Sequence, residues 1–245
     1  MRFNHIFKLT NENETHREYK CDNVNINIDF ISGSALRIAV FNDNAEMLPT
    51  FTVNPNNNLS SLGRSRLSVD GFNCVAPVVE KFENREKFVL DCGVTVDLDL
   101  NNFILSYSKG SKLLFADRAP LAYNFEGEFG NGSYHYITRE DDEHIFGLGD
   151  KSGLINKAGQ VYRVETADSM GFDAEKTDPL YKHVPFYICE NSVGAYGIYY
   201  DTTDTSFVDL GREINNYYCH FKYFKTDDDC LVYYVFFGSK LSVLQ

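Results

Sequence analysis

Apolar residues in this chain recur at every second position over short runs, and no stretch holds an apolar stripe at helical spacing for more than two turns. A period of two places alternate side chains on one face of a pleated strand, so these runs read as half-buried strands. VNINIDFI and SGSALRIAVFNDN open the series at Val24, with a turn near Gly33 and LRIAVF as a central strand. VAPVVEKF, KFVLDC and GVTVDLDL follow as short strands. FILSYSKGSKLLFAD then sets Lys109 and Gly110 between two alternating runs, where a glycine supplies the positive φ of a tight hairpin. PLAYNFEGEFGNGSYHYITRE continues the meander, with Gly127, Gly130 and Gly132 marking turns or bulges. INNYYCHFKYF and CLVYYVFFG are two more strands, separated by an acidic turn over 226–229. Between them all, the run TFTVNPNNNLSSLGRS at 50–65 is polar and without period, and reads as a surface loop.

Many short strands with no internal repeat predict an all-β sandwich or barrel. Twenty Phe and 16 Tyr, with no Trp, suit pleated surfaces, and a hydrophobic fraction of 43% is enough for a real core. A net charge of -12 excludes a phosphate-tracking surface, which needs Lys and Arg to displace counterions, so no nucleic acid is expected as a partner. Six cysteines, at 21, 74, 92, 189, 219 and 230, are far apart and include no CxxC pair, which predicts free, mostly buried thiols. The first 20 residues lack the apolar core of a signal peptide, and the most apolar run, 231–237, is strand-sized, so no membrane segment is expected and the cytoplasm is the expected location. The six histidines form no HxH, HExxH or His–Cys cluster, and no GxSxG or phosphate-cradling loop is present, so neither a metal nor a cofactor is expected.

The most informative stretch is 143–211, where apolar runs alternate with long loops rich in Gly, Asp and Lys, the pattern of a rigid β-scaffold holding out ligand-facing loops. In order it contains FGLGD, NKAG, Asp168-Ser169-Met170-Gly171-Phe172-Asp173, DPLYKHVPF and YGIYYD. Gly147 and Gly149 suit close backbone approach and a sharp turn, Asp150 can bond its own loop, and Asn156-Lys157-x-Gly159 reads as a turn. This ordered set resembles the segment that precedes the catalytic barrel in family 31 of the glycoside hydrolases, the retaining α-glucosidases and their relatives.

The resemblance implies a large two-sheet antiparallel β-sandwich of the galactose-mutarotase-like type over 1–237, then residues 238–245 leading into a (β/α)8 barrel. GSKLSVLQ starts like an amphipathic helix, so Gln245 reads as a cut rather than a natural end. Retaining glycosidases use two carboxyl groups about 5 Å apart; in the family both sit on the barrel, nothing here corresponds to them, and the isolated chain is expected to be inactive. What carries over is Asp168, implied to accept a substrate hydroxyl in an α-glucoside or oligosaccharide. Capping the turn at Gly171 is its structural alternative. Tyr181, Lys182 and His183 are implied to shape the site entrance, by touching sugar or by packing. Thr166, Ala167 and Met170 depart from the family pattern of Asn, Thr and an aromatic, which bears on sugar preference. Two other functions stay open at this point: a mutarotase-like epimerase using His135, His144 or His183 with a carboxylate, and a non-catalytic carbohydrate-binding module, against which the absence of Trp counts.

Overall fold

The computed structural model describes residues 5–55, 63–124, 132–215 and 219–243. In chain order the strands are β1 (Lys8–Glu12), β2 (His16–Cys21), β3 (Val24–Ser32), β4 (Ala35–Asn42), β5 (Val78–Lys81), β6 (Arg85–Val89), β7 (Val94–Asp99), β8 (Ile104–Lys109) and β9 (Lys112–Ala116). They continue as β10 (Ser133–Thr138), β11 (His144–Gly149), β12 (Val161–Val164), β13 (His183–Glu190), β14 (Ala195–Tyr200), β15 (Ser206–Asn215), β16 (Cys219–Thr226) and β17 (Cys230–Gly238), ending in the short helix α1 (Lys240–Val243). One layer is an eight-stranded antiparallel sheet in the order β1-β2-β3-β4-β17-β14-β13-β11. The opposite layer is split into β5-β6-β7-β8-β9 and β10-β16-β15-β12. These two pieces meet where Asp117 bridges Ile137 and the Thr138 hydroxyl bonds both the N–H and the carbonyl of Ala116, at 3.2 and 3.0 Å. The expected two-layer antiparallel sandwich is therefore present.

Period-two alternation builds the layers directly: β7 and β8 bury every second residue, Val94, Val96 and Leu98 against Leu105 and Tyr107. Inward rings stack, Tyr107 on its sheet neighbour Phe115 at 4.2 Å and, across the layers, Phe115 on Tyr196 at 3.9 Å and Tyr200 on Phe224 at 3.7 Å. Each fully buried ring of this size stabilises by about 1.5–3 kcal/mol relative to exposure. The tyrosines among them need polar partners in the dry interior. Tyr123 shares a 2.7 Å bond with Tyr233, and His135 spans Asp117 and Tyr200 at 3.0 Å each.

Strands β3, β4 and β17 are buried on both faces, more than alternation alone requires. Their outer face is covered by residues from 41–72, with Met47, Val53, Leu67 and Phe72 packed on Ala39, Val232 and Tyr234. The stretch at 50–65 is thus not simply a surface loop: Thr50 is buried and bonds Asp201 at 2.8 Å, next to the buried Arg66 that pairs with Asp228 at 2.5 Å. The cause is Arg37, an outward-facing cation in a central strand. Its guanidinium bonds Asp29 at 2.7 Å and donates to the carbonyls of Arg66, Leu67 and Ser68 at 2.6–2.8 Å, so the covering segment is the solvation shell the charge would otherwise lack.

Other expectations shift in detail. The tight hairpin lies where expected, but Lys109 ends β8 opposite Lys112 and the turn is Gly110-Ser111, with Gly110 at φ +60°. The run INN belongs to β15 or falls outside the described residues, as do Gly127 and Gly130. In the acidic turn, Asp228 is buried rather than solvated. Five of the six cysteines are free thiols, Cys189 and Cys230 buried and Cys21, Cys74 and Cys92 half-buried; the Cys219 side chain lies outside the described set. No helix among the described residues is long and apolar enough to cross a membrane.

Replacing Arg37 by Met strands the Asp29 carboxylate and three carbonyls. Urea unfolding of Arg37→Met is expected to show a loss of about 3–5 kcal/mol, with new proteolytic cuts within 50–70, while the exposed-face change Lys87→Ala stays within about 0.5 kcal/mol.

Candidate functional site

β11 and the loops after it position the site. Gly147 (φ +123°) and Gly149 (φ +76°) flank a bulge against β13. A Cβ on either would lie 2.5 Å from a carbonyl oxygen, of Phe186 and Lys182 respectively, so the close approach expected of FGLGD is real. Between them Leu148 is held at φ +70° by its burial in the core. Asn156 forms the expected turn, accepting from Ile145 N and Ala158 N at 3.0 and 3.1 Å.

The next side chain, Lys151, is fully buried. An ammonium has three N–H donors and no acceptor, and all three are used here. They go to the carbonyl of Arg163 at the end of β12, to Asp178 at 2.9 Å, and to His183 Nδ1 at 3.1 Å at the start of β13. Asp178 returns a 2.5 Å bond to the N–H of Arg163. Burial lowers the Lys151 pKa, and the neighbouring carboxylate opposes that. His183 donates from Nε2 to the Leu180 carbonyl at 2.8 Å, which leaves Nδ1 free to accept from lysine, and burial lowers the imidazole toward the neutral form this requires. Lys151 is therefore a clamp joining both ends of the 165–182 loop, which runs from one layer of the sandwich to the other.

Above the clamp the loop is zipped by Ala167 N to Leu180 O at 3.1 Å and by Ser169 Oγ to Pro179 O at 2.6 Å. Its tip turns at Gly171 (φ +69°), and in the turn that follows the Asp173 carboxylate accepts from Glu175 N at 2.8 Å. Asp168 is exposed, beside Tyr181, whose phenol is pushed up by loss of solvent and by the Asp168 carboxylate and donates to Ser169 O at 3.2 Å. The structure thus brings Asp168 and Tyr181 together. Lys182 is exposed, its carbonyl accepting from Asp150 N at 2.8 Å, while the His183 ring is turned into the loop base.

Large apolar side chains of this loop and of the preceding one face solvent: Met170 at 87% and Phe172 at 54% exposure on the first, Leu154 at 80% and Ile155 at 81% on the second. Leu154 and Ile155 follow Gly153, whose N–H bonds Ala174 O at 2.9 Å, so the two loops form one surface. Neither Lys151 nor this apolar pair stands out in the sequence; an Ile-Leu pair in a Gly- and Lys-rich loop was the available signal.

The histidines of the epimerase reading do not converge. His135 is buried at 1% exposure against Asp117, and His144 and His183 sit at opposite ends of the β11–β13 ladder, roughly 17 Å apart at about 3.4 Å per residue. One set of donors that spacing could not reveal is His5, Cys21 and Asp22, whose ligand atoms lie within 4.8 Å of one another at the β2–β3 turn. Their chemistry suits a zinc-like cation with an open position.

Lys151→Met removes three donors and leaves Asp178 and the Arg163 carbonyl unmatched. Hydrogen exchange is expected to show the amides of Asp150, Arg163 and Ala167 losing protection while those of β3 and β4 keep theirs, with a stability loss of about 2 kcal/mol.

Comparison with known proteins agrees with this architecture. The family model described as the glycosyl hydrolase 31 N-terminal galactose mutarotase-like domain matches residues 25–209. The "Alpha-glucosidase 2" of Bacillus thermoamyloliquefaciens is 26% identical over 133 residues, covering 54% of this chain and 16% of that protein. A GH31 dextranase of Flavobacterium johnsoniae, solved with isomaltotriose, superposes with a TM-score of 0.75 at 22% identity over 96% of this chain and 26% of its own. A glucosidase II alpha subunit gives 0.71 at 12% identity over 97% and 33%. The chain thus spans about a sixth of the curated relative and a quarter to a third of these structures. The chain belongs to glycosyl hydrolase family 31, as its N-terminal galactose mutarotase-like domain.

Proposed function

We propose that the chain is part of a retaining α-glucosidase, and that its 165–182 loop lends a carboxylate to an active site completed by a following (β/α)8 domain. The observation that carries this reading is the exposed Asp168 on a loop whose base is clamped by a buried lysine and which, with the loop before it, exposes four large apolar residues. An apolar surface of this kind marks a docking face. A carboxylate held out beside it can accept from sugar hydroxyls, and charge-assisted bonds are roughly twice as strong as neutral ones. The relatives named as an α-glucosidase and as a dextranase bound to isomaltotriose support α-linked glucose as the substrate class.

In this scheme the following domain provides both reacting carboxyl groups, about 5 Å apart, and the bond is broken by double displacement with retention. Residues of this chain hold the sugar. Asp168 accepts from a hydroxyl, Tyr181 stands beside it to fix its orientation, and the exposed Lys182 is a further donor to the sugar. His183 acts through Lys151, on the loop rather than on the sugar. The sandwich occupies 1–237, and 238–245 lead toward the following domain.

In the complete polypeptide, Asp168→Ala is expected to lower kcat/KM for a nitrophenyl α-glucoside by about tenfold to a hundredfold, with Asp168→Asn between the two, and the 245-residue chain alone is expected to show no turnover. Unchanged kcat/KM in Asp168→Ala contradicts the role of the loop; turnover by the chain alone contradicts the division of labour.

A further inference from the structure

On the four-stranded sheet aromatic rings lie on the outer face as well as the inner one, Tyr136 among them though only 8% exposed. In β16 the core face carries Lys222 and Phe224, while Phe221 and Tyr223 are half-exposed. In β10 His135 and Ile137 point inward, leaving Tyr134 and Tyr136 on the outer face, and in β15 Phe207 lies outward while Val208 is buried. Three adjacent strands thus place aromatic rings outside and bury a lysine and a histidine. Packing a core does not require this arrangement, since rings are the side chains that gain most from burial.

These rings form the floor of a groove of about 580 Å³. Tyr134 and Tyr136 are within 10° of parallel at 5.9 Å, and Phe207 and Tyr223 within 26° at 6.1 Å. Arg118 packs over Tyr136 and Phe221 at 5.7 and 4.6 Å and stiffens that side. The rim carries two cations, Arg163 and Lys225, and two acids, Glu213 and Asp227. Helix α1 packs through Val243 on Gly197, on the outer face of the other layer, and does not cover it.

We propose that this groove is a carbohydrate-binding surface for a short neutral oligosaccharide. Flat rings match the apolar faces of pyranose units. A rim with equal numbers of donor cations and acceptor carboxylates serves hydroxyl groups, whereas a polyanion meets Glu213 and Asp227 and a polycation meets Arg163 and Lys225. Three strands spaced by about 4.8 Å give a platform roughly 10 Å wide, the span of two hexose rings. Burial pushes the Tyr136 and Tyr223 phenols up to about 12, so both remain neutral groups able to donate and accept. The surface makes no use of Asp168, and its success or failure is read separately from the loop's.

The test is a two-dimensional NMR titration of the 245-residue chain with maltotriose, isomaltotriose and a heparin tetrasaccharide. The neutral sugars are expected to shift amides of β10, β15 and β16. Tyr223→Ala is expected to weaken binding by about tenfold and Lys225→Ala by about threefold, and Asp168→Ala to leave it unchanged. Lys225 is half-exposed, so its variant and the map on the unsubstituted chain decide the matter even if Tyr223→Ala does not fold. No shifts with either neutral sugar, tighter binding of the heparin fragment, shifts confined to 165–182 and lost in Asp168→Ala, or self-association through β10 and β16 without sugar would each overturn the proposal.

Discussion

The structure depends on a lysine ammonium buried between its two layers. Lys222, on β16, donates to both oxygens of Glu143 at 2.7 and 2.6 Å and to the Tyr196 hydroxyl at 2.7 Å, with Cys189 Sγ at 3.6 Å. All four residues are fully buried. Such a pair is weak evidence for net stability, because desolvation offsets the attraction, but no other register satisfies both charges, so it fixes how the four-stranded sheet sits on the eight-stranded one. Glu143 is also the residue before β11. Just beyond the other end of that strand Lys151 makes the second buried clamp, which holds both ends of the loop carrying Asp168.

That geometry shows how a rigid chain can hold out a long exposed loop. The base of the loop is tied by the Lys151 donors, and its middle by Ala167 N donating to Leu180 O and by the Ser169 and Tyr181 hydroxyls donating to the carbonyls of Pro179 and Ser169. The tip is left to solvent, with Met170 and Phe172 exposed. A carboxylate on a loose loop would lose ordering entropy on each binding event; one on a clamped loop has already lost it. The same logic explains the covering segment on the opposite face, which Arg37 recruits because a cation in a central strand must be solvated by protein.

Much of the fold was legible in the sequence because alternation reports directly on which face of a strand is buried. β7 and β8 follow it residue by residue. The rule loses information where a charged residue is buried, since Arg37, Lys151 and Lys222 look like surface residues until their partners are known. Asp29 lies across a hairpin from Arg37, but Asp178 is 27 residues from Lys151 and Glu143 79 residues from Lys222, and no local pattern links those pairs. In the loop the motif pointed to Asp168 and left both a binding and a capping role open, because the same carboxylate can serve either. His183 could not be assigned from sequence, because whether its ring faces sugar or loop is decided by Lys151, 32 residues earlier.

The central claim is that this domain is a clamped support that presents one carboxylate to a site outside itself. The most direct measurement is the structure of the complete polypeptide with an α-linked disaccharide bound. The account predicts the Asp168 carboxylate within hydrogen-bonding distance of a sugar hydroxyl, with the Lys151 contacts as they are here. A bound sugar out of reach of Asp168, with Leu154, Ile155, Met170 and Phe172 still facing solvent, would contradict it.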